Sequence, residues 1–541
     1  MLNSRITTIS WCSMLSLCSQ TCISNSEIIS TKVRNENMTV TEILLSIILA
    51  AVAAFIYIAH RNLTYWQRKG IPHDSPHWIH GNLNGVAKTL TVGEAFTKVY
   101  RRHLGSGPFC GLYFLQKPTV LVLTPELTKQ VLIKDFNNFS ERGLYVNEED
   151  DPLTGHLFLL QSQKWRIMRN KLTPTFTSGQ MKFMFPTVVS VAEQLVETLN
   201  GDIKKSNVIE IKEILARFTT DVIGSCAFGI ECNSLKNPDA IFRQMGRRLF
   251  TDRRHSNFVD SMIAAAPNVA RKLHVRLVPD AISDFFLNIV REAVDYREKE
   301  NVQRNDFLNI LIELNKGKLK FDDKVEEKGL TLEEMAAQVL IFFIAGFETS
   351  SSTLTFLLYE LALNPDIQKR LREEIFEAVE NHGGKVTYEC VNSMSYMKQV
   401  VSETLRKYPV LPHLQRKTMA DYVVPGHPNY VIEKDTTVFI PVMAMHHDPE
   451  IYPDPEKFDP ERFAPDEMKS RDPIYWLPFG DGPRNCIGLR FGQMQIRVAL
   501  TYLLSNFEFS PCPKTEIPLV FDPKEFLTST KGGIHLKVQS I

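Results

Sequence analysis

The sequence predicts a mainly α-helical protein with small β-sheets, in which one large body follows an amino-terminal membrane anchor. Long stretches with helical spacing dominate the chain after residue 80. The β-like runs are short and lie far apart, with helical patterns between them, at 119–123, 436–440 and 534–538. Near the amino terminus an apolar run, 43–59, is long enough for a helix that nearly crosses a hydrocarbon core of about 30 Å.

Composition and charge exclude several classes of protein. The chain has 541 residues, of which 44% are hydrophobic and 23% charged, so it has enough apolar surface to build a large core. It carries 62 Lys and Arg against 62 Asp and Glu, which gives no basic field to favour nucleic acid. The 9 cysteines are scattered without a C-x-x-C pair, which indicates neither a disulfide scaffold nor a zinc ribbon and fits a reducing compartment.

The apolar run from Ile43 to Ala59 has one clearly polar side chain, Ser46. The core of a signal peptide or a buried helix would also be apolar. The run ends at His60 and Arg61, however, and no small-residue cleavage site follows it directly. We therefore predict a transmembrane anchor over 38–60.

The residues before the anchor, 1–37, are an extension of doubtful status. They are rich in Ser and Thr and show no firm periodicity, and the sequence leaves open whether translation starts at Met1 or at Met38. A start at Met38 leaves Glu42 as the only charged side chain ahead of the apolar run. The basic residues of 61–69 then place the following body in the cytosol, because loops rich in Lys and Arg stay on that side of the membrane.

A basic and proline-containing linker is predicted over 61–80. Pro72 and Pro76 fix an extended, non-helical segment in its second half. The body then occupies 81–541.

The body contains one unusually long helical pattern, from Thr331 to Leu363. It opens with a capping box, in which Thr331 and Glu334 satisfy each other's free backbone donors, and it stops at Asn364 before a proline. This length corresponds to about 50 Å of helix with an apolar middle, so we expect it to be buried on all sides and to cross the body. The charged, glycine-punctuated segment 316–329 predicts a surface loop before it.

The most specific segment of the chain is Phe479–Gly488, which contains Cys486. Gly482 and Gly488 permit backbone angles that other residues avoid, so the loop can wrap around the sulfur and turn its amides inward. A helix beginning near Gly488 adds its positive end, and both effects are expected to lower the thiol pKa. Such a cysteine is suited to binding a metal, whereas a buried structural role is expected of the cysteines at 110, 226, 232, 390 and 512.

This segment fits the pattern F-x-x-G-x-R-x-C-x-G through Phe479, Gly482, Arg484, Cys486 and Gly488. The pattern resembles the haem-binding signature of the cytochrome P-450 monooxygenases, and the resemblance extends from the anchor to the carboxyl terminus. It implies the cytochrome P-450 fold, haem b (iron protoporphyrin IX) as cofactor, and these five residues as the cofactor site. Cys486 would be the axial ligand of the iron, whose thiolate favours O–O cleavage.

Two further segments, 173–179 and 485–492, are similar to the insect microsomal branch of the family, its family six. That resemblance implies a protein of the endoplasmic reticulum membrane with the catalytic domain facing the cytosol. It also implies insertion of one oxygen atom from O2 into lipophilic organic substrates. Foreign compounds are the expected class by analogy, and synthesis of a hormone or another endogenous lipid stays open.

The middle of the long helix carries an acid next to a hydroxyl, Glu348-Thr349. Thr349 can donate back to the carbonyl of Ala345 and bend the helix, and Gly346 indicates a close backbone approach. The resemblance implies an oxygen-binding groove, in which Glu348 and Thr349 deliver protons during dioxygen reduction. The alternative is a helix kink with a solvated carboxylate.

The remaining cofactor residues come from two segments, around Trp165 and at Arg416. Trp165 and Arg169 are four residues apart on one helix face, and both can donate to a carboxylate. The resemblance implies that they bind the haem propionates together with Arg484 and Arg416. The alternative is a core tryptophan with surface arginines. If the helix is rotated, Arg166 would bind the propionates in place of Arg169.

Two other groups of residues have roles implied by the resemblance. Glu403 and Arg406 are expected to form a buried structural network with Arg462, without which haem would not be incorporated. The pocket for the lipophilic substrate would be lined by four mostly apolar segments, 142–160, 342–349, 410–414 and 526–528.

Several partners follow from the same resemblance. No G-x-G-x-x-G nucleotide fingerprint follows a strand, so a separate NADPH-cytochrome reductase is expected to deliver electrons near Lys164, Lys171 and Arg490. Cytochrome b5 is a second candidate donor, and membrane lipid a further partner. The five arginines from Arg243 to Arg254 face either anionic lipid or solvent.

Two rival functions use the same thiolate. One is a family member that rearranges peroxides without O2 or a reductase, and the pair Glu348-Thr349 argues against it. The other is a haem-storing or gas-sensing protein without turnover.

Overall fold

The computed structural model describes residues 40–304, 306–316 and 329–541. The extension 1–37, the start at Met38 and most of the loop predicted over 316–329 lie outside the described residues. The chain divides into two compact units after Arg61, and the described part of the first unit is a helix.

The elements up to residue 299 are, in chain order, α1 (Val40–Leu63), α2 (Tyr65–Lys69), α3 (Val92–His103), β1 (Phe109–Phe114), β2 (Lys117–Val122), α4 (Pro125–Lys129), α5 (Ser162–Leu172), α6 (Ser178–Ile203), β3 (Val208–Glu210), α7 (Ile211–Ile223), α8 (Ile241–Thr251), α9 (Asn257–Ala265), α10 (Pro267–Lys272) and α11 (Asp280–Lys299).

The later elements are α12 (Phe307–Asn315), α13 (Leu332–Leu363), α14 (Pro365–Asn381), α15 (Tyr388–Ser393), α16 (Ser395–Lys407), β4 (Leu414–Lys417), β5 (Tyr422–Val423), β6 (Val431–Ile432), β7 (Thr437–Ile440), α17 (Val442–His446), α18 (Pro465–Ser470), α19 (Leu489–Asn506), β8 (Phe507–Pro511) and β9 (His535–Ser540).

The predicted β-like runs are all strands, and each belongs to a small sheet. β2 pairs in parallel with β7, with Thr119 opposite Thr437, in a four-stranded sheet of order β1-β2-β7-β4. β9 is the central strand of a sheet of order β3-β9-β8, and β5 pairs with β6. The mainly α-helical class with small sheets is therefore confirmed.

α1 is the apolar helix that the sequence assigns to an anchor. Its segment Ile43–Leu63 is 21 residues long, contains an 18-residue window with a mean hydropathy of 2.5 and exposes most of its large apolar side chains. α13 also has the length and composition of a membrane span, but its apolar window is 72% buried inside the body. The exposure of its apolar side chains therefore distinguishes α1 as the helix with an apolar surface free to meet lipid.

The segment predicted as a linker, 61–80, contributes side chains to the body. Trp66 is 1% exposed and donates through its indole N–H to the carbonyl of Leu112 at 3.2 Å. His73 forms a parallel β-bridge with Gly111. The chain is therefore extended here, in agreement with the non-helical path expected around Pro72 and Pro76.

α13 passes through the centre of the body, as its apolar middle predicts. Thr331 accepts a hydrogen bond from the Glu334 amide at 3.2 Å, and the Glu334 carboxylate accepts one from the Thr331 amide at 2.8 Å. The helix packs against α7, α11, α16 and α19, and most of its length is buried. The helix therefore provides a firmly packed surface along one side of any site next to its middle.

Candidate active site

A cavity of about 300 Å³ lies between the middle of α13, the helix α5, the segment 410–416 and the loop 478–488. Most of its lining is apolar, with side chains such as Phe342, Leu411 and Ile487. Its polar lining includes Cys486, Thr349 and a group of arginines. An apolar cavity with a few convergent polar groups is the usual form of a small-molecule site.

The loop before α19 holds Cys486 at the cavity wall. The amide of Cys486 donates to the carbonyl of Phe479 at 2.9 Å, and the amide of Asn485 donates to that of Gly482 at 3.1 Å. Gly482 has φ +70°, and a Cβ there would lie 1.9 Å from the carbonyl oxygen of Leu132. The loop can therefore take this path only with glycine at that position.

The expectation of unusual backbone angles at Gly488 is wrong. Its φ is −87°, which any residue adopts, and a Cβ there would meet its nearest neighbour, Phe176, at 3.8 Å. Gly480, with φ +67°, is the second glycine of the loop in the left-handed region. Gly488 lines the cavity, whereas Gly482 packs against 132–133.

The side chain of Cys486 is exposed to the cavity, and the cavity itself lies within the protein. Burial raises the pKa of its thiol, because it penalises the charged form. The Gly488 amide and the cations of Arg169 and Arg142 act in the opposite direction but do not cancel it. The sequence-based expectation of a lowered pKa is therefore wrong for the protein alone, since it left burial out.

Four arginines, Arg142, Arg169, Arg416 and Arg484, gather at one end of the cavity. Burial first, and then the neighbouring arginines, lower the pKa of Arg484 to about 9, and burial lowers that of Arg416 to about 10. Glu141 opposes the shift at Arg484. Mutual repulsion of buried cations is unfavourable, so this end of the cavity is suited to an anion.

Several donors of these arginines have no partner. The Nε and Nη1 atoms of Arg484 and the Nε atom of Arg416 are buried without a hydrogen bond, although Arg484 donates through Nη2 to Leu160 at 2.9 Å. Buried donors without acceptors are costly and rare in native proteins. The two carboxylates of haem b would supply acceptors, and the apolar walls suit its ring, so the residues present fit this cofactor.

Trp165 and Arg169 both face the cavity from α5. The guanidinium carbon of Arg484 lies 4.1 Å from the centre of the Trp165 ring. Arg169 donates to the backbone and side-chain oxygens of Asn485 at 2.9 and 2.8 Å, which connects α5 to the cysteine loop. Arg166 instead contacts Asn137 on the outside, so the rotated alternative does not occur.

Arg142 was assigned from the sequence only to the substrate lining. In the structure it belongs to the group of arginines, because it donates to the carbonyls of Phe158 at 2.8 Å and Arg484 at 3.3 Å. It lies more than 300 residues before the cysteine loop, and its place next to Arg484 depends on tertiary structure.

The acid and the hydroxyl on α13 point in different directions. The Thr349 hydroxyl lines the cavity and donates to the Ala345 carbonyl at 2.7 Å, as expected. Glu348 does not line the cavity, and its carboxylate lies 2.9 Å from the ammonium of Lys212. Gly346 gives the close approach that the sequence indicated, since a Cβ there would lie 2.6 Å from Ile223.

A model of the cytochrome P450 family matches residues 71–537 of the sequence. The chain belongs to the cytochrome P450 family. It is 50% identical over 504 residues to cytochrome P450 6a2 of Drosophila melanogaster, covering 92% of this chain and 100% of the relative. It is also 48% identical over 497 residues to cytochrome P450 6A1 of Musca domestica, covering 91% and 97% of the two chains.

Membership of the P450 family decides the class of chemistry. Members are monooxygenases that bind haem b, so this protein is an oxidoreductase that uses O2, a redox partner and a small-molecule substrate. The predicted fold, the resemblance to family six and the cofactor are thereby confirmed.

The buried network of Glu403, Arg406 and Arg462 has the members that the sequence predicted. Arg406 donates to both carboxylate oxygens of Glu403, at 2.7 and 2.9 Å, and both side chains are fully buried. Arg462 approaches Glu403 at 3.5 Å. Arg406 also donates to the backbone carbonyls of His446 and Pro455, and the network therefore joins α16 to the segment that leads to the cysteine loop.

All four segments predicted to line the substrate contribute to the cavity. They supply, among others, Leu157, Phe342, Val410 and Phe526. His413, within the predicted range 410–414, is a polar member of the lining, and burial lowers its pKa to about 4, which keeps the ring neutral at physiological pH.

Two surface predictions need correction or qualification. Lys171 is 5% exposed, so it cannot belong to a surface for an electron donor, whereas Lys164 and Arg490 are exposed.

The arginines of 243–254 are engaged with polar groups of the body: Arg243 donates to Glu213 at 2.7 Å, for example, and Arg254 to Asp280 at 3.0 Å. Arg243 is 7% exposed and therefore meets neither lipid nor solvent, and the ion pairs of the more exposed arginines favour the solvated-face alternative over a lipid-binding cluster.

Proposed function

We propose that this protein inserts one oxygen atom from O2 into lipophilic foreign compounds, with electrons from NADPH delivered by a separate NADPH-cytochrome reductase. The observation that carries this proposal is the apolar cavity with Cys486 and Thr349 in its wall. A substrate held there by apolar contacts would be recognised by shape more than by charge, which suits structurally varied lipophilic molecules.

The chain would hold its cofactor through groups on three segments. Cys486 would ligate the iron, and Trp165, Arg169, Arg416 and Arg484 would donate to the propionates. Phe479 and Gly488 line the same cavity, and Gly482 shapes the loop that presents the sulfur. Bound haem would supply the binding and reductive activation of O2 next to the substrate.

Thr349 and Glu348 would supply protons for the reaction. The Thr349 hydroxyl lies in the cavity wall, where it can hold a proton close to bound dioxygen. Glu348 lies one residue earlier on the helix, about 100° away round its axis, and its carboxylate faces Lys212 outside the cavity. It would relay protons from outside the cavity to the hydroxyl.

The location of the reaction would follow from the anchor. An exposed apolar helix over Ile43–Leu63 supports insertion into a membrane, and the basic residues of 61–69 favour a cytosolic body. We place the protein in the endoplasmic reticulum membrane, with 38–60 as the anchor and the catalytic domain facing the cytosol. Membrane lipid is thus a partner of the anchor.

The electron donors would approach from the side of the cysteine loop. Lys164 and Arg490 are exposed cations on α5 and α19, the two helices that flank this loop. An acidic surface on the reductase, or on cytochrome b5 as a second donor, would be attracted to them.

The reaction to be tested is RH + O2 + NADPH + H⁺ → ROH + H2O + NADP⁺. Full-length protein, haem and purified reductase are combined in lipid vesicles with a panel of foreign and endogenous lipophilic compounds. We expect NADPH-dependent products that carry one atom from labelled O2, formed with foreign compounds. Turnover confined to endogenous lipids would contradict the foreign-compound assignment, and isomerised peroxides formed without NADPH would contradict the electron source.

A further inference from the structure

Lys212 connects the acid of α13 to a loop that lines the substrate cavity. Its ammonium lies 2.9 Å from the Glu348 carboxylate and 2.9 Å from the hydroxyl of Ser529. The side chains of Lys212 and Glu348 are 26% and 12% exposed, so the ion pair is largely shielded from water. An ammonium has three donors, and here two of them bind different elements of the fold.

The loop in question is a hairpin formed by residues 521–530. Phe521 bridges Thr530, and the amide of Asp522 donates to the carbonyl of Ser529 at 2.8 Å. Within the hairpin, Phe526 lines the cavity. The amide of Thr528 donates to the carbonyl of Val410, also a cavity residue, at 2.9 Å. The hairpin is therefore part of the cavity wall, where a bound molecule would contact it.

The position of Lys212 is itself fixed by the chain. Glu210 caps α7 and accepts hydrogen bonds from the amides of Lys212 and Glu213 at 3.0 and 2.7 Å. The same carboxylate accepts one from the amide of Ile534, just after the hairpin, at 3.2 Å. The start of α7 and the base of the hairpin are thus held together, and Lys212 projects from that joint toward α13.

We propose that Lys212 is a positioning residue for the reaction, which holds the Glu348 carboxylate and the hairpin 521–530 in one arrangement and so couples cavity occupancy to proton delivery. This inference rests on the role proposed for Glu348. In the productive reaction RH, O2, two protons and two electrons give ROH and H2O. In the unproductive reaction O2, two protons and two electrons give H2O2, so the peroxide fraction reports whether protons arrive correctly placed.

The test compares Lys212→Met, Lys212→Arg and Ser529→Ala in the full-length haem protein. Lys205→Met is the control, because that lysine is exposed and paired only with Asp202 at 3.4 Å. The first readout is amide hydrogen exchange over 521–530, with and without the lipophilic probe 4-phenylimidazole. We expect about five-fold faster exchange in Lys212→Met and Ser529→Ala, near-parental exchange in Lys212→Arg, and no change in Lys205→Met. Parental exchange in Lys212→Met would overturn the coupling.

The second readout is the fraction of NADPH electrons recovered in H2O2 with 7-ethoxycoumarin as substrate. When Glu348 is present, Lys212→Met is expected to raise this fraction about three-fold. In a protein that already carries Glu348→Gln, the same change is expected to have no further effect. An equal rise in both backgrounds would show that Lys212 does not act through Glu348. If Glu348→Gln alone leaves the fraction unchanged, the proposed role of the acid is wrong. If the substrate is not turned over, the exchange readout decides.

Discussion

Arg484 stacks on Trp165, with its guanidinium carbon 4.1 Å from the centre of the indole ring. The contact joins the cysteine loop to α5 and fixes the plane of a cation whose Nε and Nη1 atoms have no acceptor. A cation over an aromatic face in a dry site is stabilised by the ring, but its unused donors remain costly. The stack therefore presents ready-oriented donors to an anionic ligand.

The cluster of arginines is expected to determine how tightly haem is held. Arg484→Gln or Arg169→Gln removes charge-assisted donors, each of which contributes about 1.5–3 kcal/mol, so haem affinity should fall about 10- to 100-fold. Haem content after purification and the rate of haem transfer to apomyoglobin measure this loss. Arg166→Gln, on the outer face of α5, should retain parental affinity, and an equal loss there would contradict the assignment.

Two glycines of the cysteine loop are expected to differ in their tolerance of alanine. Gly482→Ala places a Cβ 1.9 Å from the Leu132 carbonyl oxygen at φ +70°, so it should destabilise the protein by at least about 1–3 kcal/mol. Gly488→Ala meets nothing closer than 3.8 Å at an ordinary φ.

Thermal unfolding followed by haem absorbance separates the two glycine variants. A large fall in the midpoint for Gly482→Ala and little change for Gly488→Ala are expected. The reverse order would show that the loop takes a different path.

The buried pair of Glu403 and Arg406 is expected to be essential for the fold. Glu403→Gln leaves the guanidinium buried without a countercharge, which costs about 3–5 kcal/mol. The matched control is Glu461→Gln, because its partner Arg370 lies 2.5 Å away in an exposed pair, with both side chains more than half exposed. That change should be worth less than about 1 kcal/mol. Unfolding in urea provides the comparison, and similar losses in both variants would contradict the argument.

A buried neutral histidine is expected to make the protein less stable in acid. The Nε2 atom of His446 accepts from the Leu477 amide at 2.9 Å, and Nδ1 faces the Arg406 carbonyl at 3.1 Å, so the ring must be neutral. Burial lowers its pKa well below the usual 6.5. The unfolded chain therefore binds a proton below that pH while the folded chain does not, and stability falls as the pH falls.

The expected slope is about 1.4 kcal/mol per pH unit for this one group. His446→Gln, whose amide side chain does not titrate, should flatten the pH dependence of the unfolding free energy between about pH 6.5 and pH 5 by that amount. His427→Gln, on an exposed loop, is the control for the loss of a histidine elsewhere in the chain. An unaltered slope in His446→Gln would mean that this ring takes up its proton in the folded state.

How much of the site the sequence predicts depends on the distance over which its residues interact. The cysteine loop is contiguous, so its pattern identified Cys486 and Arg484, and the capping box fixed the start of α13. Helical spacing placed Trp165 and Arg169 on one face, but only the packing of α5 against Asn485 excluded Arg166.

Other features depend on burial and tertiary contacts, which no local pattern encodes. The place of Arg142 beside Arg484 and the contact of Lys212 with Glu348 join parts of the chain that are more than 100 residues apart. The direction of the Cys486 pKa shift was predicted wrongly because burial outweighs the amides and cations around the sulfur. Lys171 looks like a surface cation in the sequence, but α5 turns it into the body.

We expect the sulfur of Cys486 to ligate a haem iron. The decisive measurement is the absorption spectrum of the reduced, haem-loaded protein under carbon monoxide, compared between the parent and Cys486→Ser. A thiolate-type Soret band is expected in the parent, and its loss is expected in the variant. The same thiolate band in Cys486→Ser, or none in a parent fully loaded with haem, would contradict ligation by Cys486.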